Sequence, residues 1–97
     1  MARLNDIIGM LRSDKQLLKS RFKVKKIGVF GSFASGKETG KSDIDILVDF
    51  SSSANYFDLV ELGDYLEKKC KRKIDIVTST SIHPMLKKKI LSDAVIA

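Results

Sequence analysis

Residues 42–50 read Ser-Asp-Ile-Asp-Ile-Leu-Val-Asp-Phe (SDIDILVDF), and this stretch decides the fold. Acidic and apolar residues alternate through its first half. A β-strand would therefore put Asp43 and Asp45 on one face and Ile44 and Ile46 on the other. Aspartate is disfavoured inside strands, so two of them on one face ask for a chemical reason. The pattern recurs at Lys73–Thr78 (KIDIVT), where Ile74 and Ile76 flank Asp75. Upstream, Lys25–Phe30 (KKIGVF) reads as a short buried strand that stops at Gly31-Ser32. If the two acid-bearing strands are neighbours, three carboxylates converge on one patch.

The segments around these strands read as helices. Leu4, Ile7, Ile8, Leu11 and Leu18, with Phe22 beyond, form the apolar stripe of one amphipathic helix from about Leu4 to Arg21. Ser32–Gly36 fits a single helical turn, and Gly36–Lys41 (GKETGK) is loop. Asn55–Lys71 is a second helix with Leu59, Leu62, Leu66 and Cys70 on its buried stripe, which makes Cys70 a packed thiol rather than a reactive one. Pro84 suits the first turn of a last helix carrying Leu86 and Ile90, and Ala94–Ala97 is either a frayed end or a short edge strand. The order α-β-(turn)-β-α-β-α predicts an α/β (α+β) fold. In it, helices cover one face of a small mixed sheet and leave the other face open to a ligand.

The 97 residues are 43% apolar and 31% charged, which fits one folded domain over residues 1–97 with a thin core. Such a core leaves faces that a second chain, or a second copy, could cover. The one cysteine excludes an intrachain disulfide. No stretch is apolar enough for a membrane span or a signal peptide, so a cytoplasmic protein is expected. The net charge of +6 comes from three clusters: Lys19 to Lys26, Lys68 to Lys73, and Lys87 to Lys89. Each lies near a helix end or on an exposed helix face, where cations are favoured. Aromatic interleaving is nearly absent, so nucleic acid is not expected as a specific ligand, whereas a triphosphate would benefit from the same field.

Carboxylates this close repel one another, and either protonation of one or a bound cation relieves them. Hard oxygen donors suit Mg²⁺ or Mn²⁺ rather than zinc, and acids on adjacent strands can hold two such ions. Gly31 lets the backbone approach a phosphate, and the turn after it offers amides and the Ser32 hydroxyl to anionic oxygens. Gly31-Ser32, ten further residues, then Asp43-Ile44-Asp45 resembles the G-S-x10-D-x-D signature of the minimal nucleotidyltransferases of the DNA polymerase β-like superfamily. The likeness extends to Asp75 and covers roughly Val24 to Thr78.

That resemblance implies a nucleotidyltransferase fold and a two-metal transfer of NMP, AMP from ATP above all, to a hydroxyl. Asp43 and Asp45 would hold the ions, and Asp75 would ligate the second ion and help activate the acceptor. Gly31 and Ser32 would grip the phosphates. Relatives often carry arginine where Ser35 stands, so a planar phosphate donor is missing, and Lys37 or Lys41 would substitute as a point charge. The resemblance also implies a partner: a HEPN-type toxin, with this chain as its antitoxin modifying a toxin tyrosine. Two alternatives are nucleotidylation of a small hydroxylated molecule and a non-catalytic antitoxin that acts by masking.

Rival motifs fail on particular residues. Gly31 to Lys37 fits G-x-x-x-x-G-K, but Glu38 replaces the Ser or Thr a Walker loop needs. Counted from Asp43, the twelfth position of an EF-hand is Ala54 instead of Glu. His83 before Pro84 reads as a cap or a solvated side chain, Tyr56 and Phe57 as packing residues at a helix entry, and Asp49 as surface.

Overall fold

The computed structural model describes residues 3–97. Helices α1 (Leu4–Ser13) and α2 (Lys15–Phe22) lead into strand β1 (Val24–Phe30), which passes directly into a short helix α3 (Gly31–Ser35). After a loop come β2 (Ile44–Phe50), α4 (Tyr56–Cys70), β3 (Ile74–Thr78), α5 (Pro84–Asp93) and a two-residue edge strand β4 (Val95–Ile96). The sheet order is β3-β2-β1-β4, with β1 antiparallel to β2 and β4, and β2 parallel to β3. The expected mixed sheet is therefore present, and the last four residues supply an edge strand rather than a frayed end.

The alternation read in β2 sets the core. Ile44, Ile46 and Val48 are buried, as are Val29 of β1 and Ile74 of β3. Against them lie Ile7, Leu11, Leu18 and Phe22 from α1 and α2, and Leu62, Leu66 and Cys70 from α4. Each large apolar side chain removed from water here contributes roughly 1.5–3 kcal/mol. Burial also pushes the Cys70 thiol up from its ordinary value, in keeping with a packing role.

The first helix is not continuous to Arg21. It breaks at Asp14, whose backbone leaves the helical region (φ −93°, ψ 9°). At the break the side chain is held by α4: the Tyr65 hydroxyl and the Lys69 ammonium each donate to Asp14 Oδ2 at 2.7 Å. These bonds tie the kink to a helix distant in sequence.

Helix α4 begins where its chemistry says it should. Asn55 and Asp58 form a reciprocal capping box, with Asp58 N–H donating to Asn55 Oδ1 (3.2 Å) and Asn55 N–H to Asp58 Oδ2 (2.9 Å). The cap sets Tyr56 and Phe57 outward, at 73% and 74% exposure, so they do not pack as expected. Helix α5 is also more open than its sequence suggested. His83 Nδ1 accepts from Met85 N–H (3.1 Å) as the cap, but no α5 residue is buried, Leu86 is exposed and Ile90 is half-buried. At the sheet edge, a Cβ on Gly28 would stand 2.8 Å from both Ile96 Cδ1 and Val95 O, so glycine is what lets β4 close on β1.

Candidate active site

The acids meet because of register. Asp45 and Asp75 are direct partners in the parallel pairing of β2 and β3, and Phe30, the last residue of β1, is the partner of Asp45 across the antiparallel pair. Alternation then puts Asp45 and Asp75 on the face opposite the buried isoleucines. Asp43 lies one residue before β2 and is exposed, as is Asp75, while Asp45 is half-buried. The expected strand start at Ser42 is thus two residues early.

The electrostatics report the same grouping. Burial raises the Asp45 carboxyl above its ordinary value, and the negative charges of Asp75 and then Asp43 raise it further. Asp45 thus lies close enough to both other acids to feel their charge. As the side chains stand, no group of three acidic, histidine or cysteine residues among the described residues is closed to the spacing of a metal's ligands. The donor set fits a hard divalent cation: only carboxylate oxygens, borne on adjacent strands, with one acid already resisting ionisation.

Beside this cluster, β1 turns into α3 through Gly31, whose φ of +71° lies in the left-handed region. A side chain there would collide with Asp45, whose Cγ lies 2.9 Å from the position a Cβ would take. The acid cluster and the Gly-Ser turn are in van der Waals contact. No side chain caps α3, so the amides of its first turn have no intrahelical acceptor and are available to anionic oxygens together with the half-buried Ser32 hydroxyl. Ser35 Oγ donates to Ser32 O (3.2 Å), so the residue at the expected arginine position serves its own turn.

Lys37 and Lys41 sit exposed on the loop 36–43 between α3 and β2, and neither side chain makes a hydrogen bond or ion pair among the described residues. Asp49 lies farther along β2 and accepts from Ser79 Oγ (3.0 Å), away from the trio. The structure adds one residue that lies within the basic run Lys68 to Lys73. Arg72 is half-buried and lies against this loop, and nothing in the run itself distinguished it from its lysine neighbours.

Fold and site together define a nucleotidyltransferase. The chain belongs to the nucleotidyltransferase domain family, whose sequence profile matches residues 11–97. It is 43% identical over 98 residues to a Methanocaldococcus jannaschii protein provisionally named a protein adenylyltransferase, covering 98% of each chain. A solved structure provisionally described as a minimal nucleotidyltransferase superposes with a TM-score of 0.83 at 28% identity, covering 96% of this chain and 94% of that one. A crystal structure of a toxin–antitoxin with AMP-PNP matches with a TM-score of 0.68 at 26% identity, covering 95% of this chain and 69% of that one.

Proposed function

We propose that this chain, as one cytoplasmic domain, transfers AMP from Mg²⁺-ATP to a hydroxyl of a partner protein, a tyrosine of a HEPN-type toxin, and so acts as its antitoxin. The observation that carries the reading is the contact between Asp45 and Gly31, which sets the central acid against the Gly-Ser turn. Support for the donor and the partner comes from the adenylyltransferase name of the archaeal relative and from the AMP-PNP in the toxin–antitoxin neighbour.

In this reading Ser32 and the first amides of α3 bind the β- and γ-phosphates, with Lys37 and Lys41 adding positive charge from the loop. Asp43 and Asp45 would hold divalent ions, with Asp75 sharing the second. Such ions supply charge neutralisation on the phosphates. The acceptor oxygen forms a bond to the α-phosphorus as the bond from that phosphorus to the bridging oxygen breaks, and pyrophosphate departs with the electron pair. Asp75, exposed at the edge of the cluster, takes the acceptor's proton on a carboxylate oxygen. The protein's task is positioning and electrostatic neutralisation, because no side-chain nucleophile is needed.

The test is incubation with ATP labelled at the α-phosphate, Mg²⁺ and the product of the neighbouring gene. Label on a tyrosine of that partner is expected. Label confined to a small hydroxylated molecule would replace the substrate class. A tight complex with no label, unchanged by Asp43→Ala, would make the chain a masking antitoxin.

A further inference from the structure

We infer that Arg72 is a positioning residue of the transfer site: it fixes the loop 36–43 against Phe33 and so sets where Asp43 stands. The inference rests on the transfer reading above. Asp43 is the one acid of the trio that lies outside a strand, so the sheet ladder does not hold it. Its two neighbours are gripped instead. Arg72 Nη1 donates to Ser42 O at 2.8 Å, and Ile44 N–H donates to Lys73 O at 3.0 Å. The dipeptide Arg72-Lys73 therefore brackets Asp43 from both sides, two residues before the third acid.

The same guanidinium gathers more of the loop. Nη1 also lies 3.3 Å from Gly40 O and 3.4 Å from Thr39 O. The turn spends its own donors internally: Thr39 N–H donates to Ser42 Oγ (2.8 Å) and Ser42 N–H to Thr39 O (3.1 Å). Its carbonyls face one cation. On its other side, Arg72 Cζ sits 5.2 Å from the centroid of the Phe33 ring, which is 1% exposed and next to Ser32. One planar group thus touches the loop that delivers Asp43 and the helix that delivers Ser32.

Lysine could offer an ammonium to the same carbonyls, but it lacks the flat face that lies over Phe33. Lys71, in the left-handed region (φ 54°) as the α4 C-cap, turns the chain so that Arg72 follows the helix end. Among the described residues the ion pairs are Lys23–Asp58 and Lys69–Asp14, so Arg72 has no carboxylate partner and spends its charge on these carbonyls.

The experiment compares the full chain with Arg72→Ala and Arg72→Lys by amide hydrogen exchange and by AMP transfer at varied Mg²⁺. In Arg72→Ala we expect exchange over residues 39–44 to speed up at least about ten-fold, with protection in α1, α2 and α4 unchanged. The kcat should fall roughly 10- to 100-fold, as expected for a displaced reacting group, with a smaller change in KM for ATP. The Mg²⁺ needed for half-maximal rate should rise, and Arg72→Lys should recover only part of the loss. Unchanged exchange at 39–44, or an unchanged kcat in an active protein, would overturn the inference. So would a loss of protection across the whole chain, which would make Arg72 merely structural. If the wild type transfers no label, the transfer reading fails by itself, and local acceleration at 39–44 still decides whether Arg72 brackets Asp43.

Discussion

The Asp45 carboxylate occupies the space into which a side chain at position 31 would project. Gly31 has a φ of +71° and would bring a Cβ to 2.9 Å from Asp45 Cγ, so backbone conformation and neighbour both demand glycine. Gly31→Ala must strain the backbone and push the central acid of the cluster aside. We expect a stability loss of about 1–2 kcal/mol from the left-handed conformation alone, and a loss of transfer larger than that figure would suggest. Chemical denaturation and initial rates measured on one preparation check both.

Asp45→Asn should abolish transfer without unfolding the protein, because it removes the part-buried carboxylate that Asp75 and Asp43 repel. The pH dependence gives a sharper check. Burial, then Asp75, then Asp43 raise the Asp45 carboxyl, so the folded chain binds that proton more tightly than the unfolded chain. Its contribution therefore grows as pH falls toward the ordinary carboxylate range and is lost as pH rises through the raised value. Wild type should show this component in its melting temperature against pH, and Asp45→Asn should lack it. A sharp fall in melting temperature for Asp45→Asn at neutral pH would mean the carboxylate is structural.

Asp14 should behave in the opposite sense. Burial works to raise its carboxyl, but the hydrogen bonds from Lys69 and Tyr65 and the charge of Lys69 outweigh it, so the value ends below the ordinary one. Stability from this group is present at neutral pH, above the unfolded value, and fades as acid drives it through the lowered value, below about pH 4. Asp14→Asn should cost about 1–3 kcal/mol at pH 7 and flatten the acid limb. Lys69 is well exposed, so added salt should trim only its share of the effect.

Lys37→Ala and Lys41→Ala test the loop cations. Both side chains are exposed, where a single charge is strongly screened, so each should raise KM for ATP only a few-fold and leave kcat nearly unchanged. Steady-state kinetics at two ionic strengths would show the effect shrinking with salt. A large kcat effect from either would place that lysine at the reacting phosphate instead.

Local pattern exposed the strands, the acid-bearing face and the Gly-Ser turn, because period-two alternation is written in consecutive residues. The face shared by Asp45 and Asp75 followed once β2 and β3 proved adjacent. What stayed hidden depends on distant partners. Asp14, at the helix break, bonds to Tyr65 and Lys69, 51 and 55 residues away, and the stripe from Leu4 to Phe22 gives no sign of it. Arg72 looked like one more cation in a basic run because its carbonyl partners lie some 30 residues upstream. Tyr56 and Phe57 stay illegible for a different reason: apolar character does not reveal that a capping box turns the first two helical positions toward solvent.

Calorimetric titration of ATP, with and without Mg²⁺, into wild type and Asp45→Asn is the most direct test that the acids and the Gly-Ser turn form one nucleotide site. The expected result is saturable one-to-one uptake by wild type that requires Mg²⁺ and is lost in the variant. Uptake that is indifferent to Mg²⁺, or equally tight in Asp45→Asn, would contradict it.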